Sequence, residues 1–237
     1  VLIFLCACNK ENEDLKSVSS LQNMEKYSQI DKILISEEIS FKEALRQSKN
    51  IKDFQEIVSK RNITTRAESL PNIIDITNNS NYSAIEKQIY FGHLDSFAQE
   101  VSNAISQIPE NEDPENEYLT NIVNNIRNKY IADVDDLDLP LTLKDNLKQQ
   151  IYFNNGVVGI IINSTEEIYN LASQEANNGD VVQTRGWFKK LWRKIGGALG
   201  CTLLTAASIS QPVTILSGLG YALSGACWIS WLTSTGL

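Results

Sequence analysis

The side chains that could do chemistry in this 237-residue chain gather at its two ends. Four cysteines fall in two pairs, Cys6 with Cys8 and Cys201 with Cys227, and none lies between. No Cys-x-x-Cys spacing occurs and the sole histidine, His93, is remote from both pairs, so neither a zinc site nor a dithiol centre fits. As a general base His93 would need a positioned partner and a nucleophile, and the sequence nominates neither. It is expected at the surface or boundary of a helix. Asp133, Asp135, Asp136 and Asp138 invite a calcium reading. An EF-hand loop counted from Asp133 needs Gly at its sixth position and Glu at its twelfth, where Asp138 and Lys144 stand, so a solvated acidic turn is expected. With no P-loop, dinucleotide fingerprint or nucleophile elbow, neither an enzyme nor a cofactor is expected.

The chemistry that does fit is interfacial. From Gly186 to Leu237 there is no Asp, Glu or His, and this stretch holds all four tryptophans and eight of the twelve glycines. Its only charges are Lys189, Lys190, Arg193 and Lys194. In Gly186–Ile195 the spacing puts Trp187, Leu191 and Ile195 on one helical face, flanked by Phe188 and Trp192, with the cations opposite. Such a helix lays its aromatic and aliphatic side chains into the acyl boundary while the cations stay with anionic headgroups. Each cation contributes about 1 kcal/mol there, and each large apolar side chain roughly 1.5–3 kcal/mol at full burial.

Beyond Lys194 no charge occurs. Residues 195–209 and 213–232 are two apolar arms, separated by Ser210-Gln211-Pro212, and the proline predicts a helical hairpin rather than one rod. Gly196, Gly200, Gly218 and Gly225 allow close helix contact, and Trp228 and Trp231 sit in the second arm. Folding at Pro212 brings Cys201 and Cys227 towards each other. A disulfide across their 25 intervening residues would suit an exported protein and add about 3 kcal/mol by loop entropy. Two other readings stay open: a hairpin buried as part of a globular core, and an ordinary transmembrane anchor.

The elements that must carry this tail differ from it in charge. The whole chain has a net charge of −8, but the tail is +4, leaving 17 basic and 29 acidic residues, or −12, in the remainder. Nucleic acid does not suit an acidic body, whereas anionic lipid suits the tail. The body reads as helices. Spacings of three and four recur from Leu21 to Ser59, and residues 61–80 form a Thr/Asn-rich break around Pro71. Ser83 and Glu86 fit a capping box before a stripe of Ile85, Ile89, Leu94, Phe97, Val101, Ile105 and Ile108 that Pro109 ends. Asp113-Pro114 opens the next helix, with Tyr118, Leu119, Ile122, Val123, Ile126 and Tyr130 as its stripe. Thr142 with Asp145 is expected to cap a further helix through Leu143, Leu147 and Ile151. Residues 157–162 (VVGIII) fit a strand or a buried helical turn equally, and Ser164 starts a last helix. Residues 177–185 carry no stripe and read as an exposed linker ending in Arg185.

At the other end, residues 1–7 (VLIFLCA) are apolar and too few to span a bilayer, and the polar run Asn9–Ser17 follows Cys8 abruptly. Leu5-Cys6-Ala7-Cys8 resembles a bacterial lipobox, although a buried apolar terminus with chance cysteines is the alternative. The resemblance implies lipid on Cys8 and loss of residues 1–7. Lys10-Glu11-Asn12-Glu13-Asp14 is similar to the surface-export signal of Bacteroidetes lipoproteins. The tail resembles class II and related peptide bacteriocins in its cationic Trp-containing start, Gly-rich apolar body and cysteine pair. Together these features resemble lipoprotein toxins of the Bacteroidales, in which a clostripain-like protease cuts a surface-anchored precursor after an arginine. That resemblance implies cleavage between Arg185 and Gly186, with Arg66 in the similar Thr64-Thr65-Arg66-Ala67 as a second candidate.

The expected architecture is mostly α, a helical acidic body followed by a cationic amphipathic helix and an apolar Gly-rich hairpin. Its parts are a signal-peptide remnant (1–7), a lipidated polar tether (8–20), an acidic helical carrier (21–176), a cleavable linker (177–185) and a membrane-active peptide (186–237). The expected partners are a target-cell membrane, an Arg-specific protease and a cell-surface receptor, with the precursor exported and lipid-anchored at the outer surface. The competing expectation is a surface lipoprotein that binds a partner, with the tail as structural core.

Overall fold

The computed structural model describes residues 10–50, 53, 54, 56, 57, 76, 79–107 and 116–176, leaving out the side chains of 10–24, 26, 106, 169 and 172–176. Among these residues there is no strand, and the fold is mostly α.

Helix α1 runs from Lys10 to Gln47. The stretch expected as a polar tether is thus helical from Lys10 onward. The chain has no Gly before Gly92 and no Pro before Pro71, and residues 10–16 are mainly Glu, Lys and Leu, which favour helix without needing an apolar stripe. From Tyr27 on, a stripe does form. Ile30, Leu34, Phe41, Ala44, Leu45 and Ser48 are buried at helical spacing, whereas Ile35 and Ile39 point outward. After Ser48 the chain turns. The Asn50 side chain accepts a hydrogen bond from the Asp53 backbone N–H (2.8 Å), and Phe54 folds back edge-on against Phe41 at 5.7 Å between ring centroids.

Helix α2, Ala84–Ser106, begins at the expected capping box. The Glu86 N–H donates to Ser83 Oγ (3.2 Å), and the Ser83 N–H donates to Glu86 Oε2 (2.6 Å). Its core face is Tyr90, Leu94, Phe97, Ala98, Val101 and Ile105. Ile85, expected on that face, lies in the first turn and is 70% exposed. Helix α3, Asn116–Asp133, buries Leu119, Val123, Ile126 and Tyr130, while Tyr118 is exposed. A short 3-10 turn, Val134–Asp136, follows.

Helix α4, Leu141–Asn163, starts one residue before Thr142. The expected Thr142 cap is replaced by Pro140, whose carbonyl accepts from the N–H groups of Leu143 and Lys144 (2.9 and 3.0 Å). Proline's fixed φ, here −56°, suits the helix start, so no side-chain cap is used. Residues 157–162 are helical, and all of them but Gly159 are buried. Helix α5, Thr165–Ala176, starts after Ser164 as expected, with the Ser164 carbonyl accepting from the Ile168 N–H (3.0 Å).

Among the described residues, α1, α2, α3 and α5 all pack on α4, most extensively α3 and α1. Contacts between Asn124 and Asn155 and between Arg127 and Tyr152 set α3 antiparallel to α4. Asp31 beside Tyr152 and Leu34 beside Gly156 set α1 parallel to it. The N-terminal turns of α4 are partly open, with Leu141, Thr142, Lys144, Asp145, Lys148, Gln149 and Gln150 not fully buried, and from Ile151 on the open residues narrow to the stripe Tyr152, Gly156, Gly159 and Asn163. Two glycines on that stripe respond differently to a side chain. A Cβ on Gly156 would sit 2.2 Å from Leu34 Cδ1, whereas one on Gly159 would meet nothing within 4 Å. Gly156→Val should therefore destabilise the fold by about 1–3 kcal/mol through overpacking. Gly159→Ala should be neutral or stabilising by up to about 1 kcal/mol. Urea unfolding of the two variants checks the contrast, and equal responses would contradict the packing of α1 on α4.

Candidate functional site

Cys8, Arg66, Arg185, Gly186, Cys201, Cys227 and the interfacial residues Trp187 to Ile195, Trp228 and Trp231 all lie outside the described residues. The same holds for Asp113, Pro114, Pro109 and the linker 177–185. The described body contains the other residues that could do chemistry, and they lie on polar seams between helices.

His93 sits on α2 against the C-terminal turn of α3. Its Nε2 is 3.0 Å from the Tyr130 carbonyl, and its ring lies 5.0 Å from the Tyr130 ring. A carbonyl only accepts, so the imidazole carries its proton on Nε2 and supplies a donor to a helix end that lacks one. The contact is architectural, at the boundary position expected. Two helical turns further along α2, Glu100 accepts from Lys129 Nζ (2.8 and 3.0 Å) and from the Tyr130 hydroxyl (2.9 Å). The ammonium of Lys129 and, behind it, the Tyr130 hydroxyl hold the Glu100 carboxyl below its usual range. Burial and the bond to Glu100 push Tyr130 up to about 12.

The aspartates after α3 do not converge. Asp133, Asp135, Asp136 and Asp138 are all exposed, and Asp135 pairs with Lys148 (2.7 Å) while its carbonyl accepts from Lys144 (2.8 Å). Among the described residues no group of three or more His, Cys, Asp or Glu could hold a metal ion. Nor is any helix among them long and apolar enough to cross a membrane.

Two features were missed in the sequence. The first is a tyrosine seam where α1, α3 and α4 meet. The Tyr152 hydroxyl donates to Asp31 Oδ1 (2.7 Å), Tyr27 packs at 4.6 Å between centroids, and the Arg127 guanidinium lies over the Tyr152 ring at 5.2 Å. Burial, then the bond to Asp31, pushes Tyr152 up to about 12. The second is a set of buried amides. Tyr90 donates to Asn146 Oδ1 (2.7 Å), Gln150 to Asn154 Oδ1 (3.0 Å), and Asn155 to Asn124 Oδ1 (2.9 Å). The Asn155 carbonyl oxygen and the Ser164 hydroxyl are buried with no partner. The signal for these amides was available, since Asn154-Asn155 interrupts an otherwise apolar helical run and a buried amide demands a partner.

Neutral tyrosines, amides and paired carboxylates orient helices but offer no activated nucleophile. No family model, curated protein or solved structure matches the chain.

Tyr90, Tyr130 and Tyr152 all hold their protons more tightly in the fold than in the unfolded chain, where tyrosine titrates near 10. The stability they add is complete below about pH 10 and disappears as pH rises through about 12 for Tyr130 and Tyr152, and higher still for Tyr90. Glu100 acts at the opposite end, its contribution disappearing as pH falls through its depressed value. Spectrophotometric titration should show late-ionising tyrosines, followed by alkaline unfolding that Tyr152→Phe moves to higher pH. Ordinary titration of all eight tyrosines in the folded chain would contradict the seam.

Proposed function

We propose that the chain is the precursor of a membrane-active antibacterial toxin, exported and lipid-anchored through Cys8. Cleavage after Arg185 by an Arg-specific protease frees Gly186–Leu237. The released segment adsorbs through its cationic helix, with Trp187, Phe188, Leu191, Trp192 and Ile195 entering the acyl boundary. The apolar hairpin, braced by Cys201–Cys227, then inserts into the target membrane. The observation that carries this reading is segregation: every tryptophan and a net charge of +4 in 186–237, against −12 in the remainder. Two parts with opposite charge suit two environments. The helical body supports the reading because residues between Ile30 and Leu171 supply a continuous core, as a separable carrier requires.

Synthetic Gly186–Leu237, oxidised, should leak dye from anionic vesicles and kill sensitive cells at micromolar concentration. Replacing Lys189 and Lys190 by Glu should weaken adsorption at least about tenfold, since each cation near the surface contributes about 1 kcal/mol. Absence of both leakage and killing at micromolar peptide would leave the tail as a structural element and favour the surface binding module.

A further inference from the structure

One dipeptide in the middle of α4 carries a chemistry of its own. Asn155 is followed by Gly156, and asparagine is among the thermolabile residues. A glycine, lacking Cβ, leaves its backbone nitrogen free to approach the preceding side chain. In that reaction the Gly156 nitrogen attacks Asn155 Cγ, the new C–N bond closes a cyclic imide, and the side-chain nitrogen leaves as ammonia with the proton that Gly156 gives up. Water then opens the imide at either carbonyl, giving aspartate or isoaspartate. An amide and a water are consumed, and a carboxylic acid and ammonia are formed.

Packing explains why the two residue types stand side by side. Asn155, only 6% exposed, donates to Asn124 Oδ1 at 2.9 Å and so ties α4 to α3. Gly156 lies against Leu34 of α1, where a Cβ would collide with the leucine side chain. The amide serves one helix pair and the missing side chain serves the other.

The same contacts hold the reaction closed. Gly156 is internal to α4, so its N–H is aimed along the helix axis at the Tyr152 carbonyl and away from Asn155 Cγ. The leaving nitrogen is held by Asn124. Asn155 Oδ1, where negative charge develops as the ring closes, is buried with no donor to stabilise it. Unfolding releases the nucleophile and the leaving group together, and water then supplies the donors.

We propose that Asn155–Gly156 is a deamidation site that the bundle keeps closed, that unfolding opens it, and that its reaction makes unfolding one-way. An aspartate at 155 puts a charge into the α3–α4 seam and leaves Asn124 Oδ1 without its donor. Isoaspartate routes the main chain through an extra methylene and interrupts the hydrogen-bond ladder within α4. Either product opposes refolding at the helix on which α1, α2, α3 and α5 pack.

The test holds the whole chain at mildly alkaline pH, folded in buffer or unfolded in urea, and follows residue 155 by mass spectrometry. Glutamate-specific digestion at Glu166 and Glu167 separates it from the chain's other Asn-Gly pair, Asn178–Gly179, which serves as the reference in urea. In urea both asparagines should show the amide-to-acid mass increase at comparable rates. In the folded chain Asn155 should react at least about a hundredfold more slowly, because a core segment opens only with the free energy of the whole fold. On removal of urea, freshly unfolded chains should regain native circular dichroism and chains deamidated at 155 should not. Asn155→Gln, whose amide must close a larger ring, should still refold after the same incubation. Asn155→Asp, made directly, should unfold at lower urea than the parent chain. Equal rates at Asn155 in folded and unfolded chains, or no reaction there in urea while Asn178 reacts, would overturn the closed site. Full refolding of chains deamidated at 155 would overturn the one-way consequence.

Discussion

The architecture depends on one helix having to be covered on almost every side. From Leu143 to Ile162, α4 buries twelve residues, and no single partner could enclose them. Three neighbours and α5 do so together: α3 antiparallel on one flank, α1 parallel on the other, α2 through Tyr90 and Asn146, and α5 at the end. Hydrophobic burial is non-directional, so it demands enclosure without fixing which helix goes where. Direction comes from the polar seams. The hydroxyl of Tyr152 selects Asp31 on α1, Asn155 selects Asn124 on α3, and Tyr90 selects Asn146. A buried polar group left unpaired is expensive, so each such pair penalises a shifted register. Arg46, joined to Glu167 at 2.6 Å, fastens α1 to α5 at the far end, although Arg46 itself is largely exposed and such a pair contributes little by itself.

What the sequence displayed of this fold follows from how one-sided each helix is. Helices α2 and α3 have a wet face, and their apolar spacing could be read directly, with Ser83 and Glu86 marking the start of α2. Errors at those helices were local: Ile85 and Tyr118 are apolar but lie where no neighbour reaches them. Helix α4 was harder for a physical reason. Enclosure on nearly all sides removes the 3.6-residue period, so residues 157–162 fitted a strand as well as a helix. The start of α4 was misplaced because a side-chain cap at Thr142 was sought where a proline carbonyl serves. The first turns of α1 hold no apolar stripe, and a polar helix looks like a tether until the absence of glycine and proline is weighed.

Of the residues proposed to act, spacing singled out those that the proposal assigns to a lipid–water boundary rather than to a protein interior. The tail's cations and tryptophans declare themselves because amphipathicity is periodic and local. The tyrosine seam around Tyr152 could not be found that way, since it is a property of where α1, α3 and α4 meet. The two parts answer different physical demands. The body pairs most of its buried polar groups internally and carries the negative charge, while the tail concentrates the cations and indoles that suit a lipid–water interface.

The central claim is that these two parts are made as one chain and separated at one bond. Mass spectrometry of the material released from cells expressing the gene tests it most directly. The account predicts a fragment that begins at Gly186, contains Cys201 and Cys227 and is two hydrogens lighter than its reduced sequence, with the complementary fragment carrying lipid on Cys8. A product that keeps Arg185 joined to Gly186 after secretion and exposure to Arg-specific protease would contradict it.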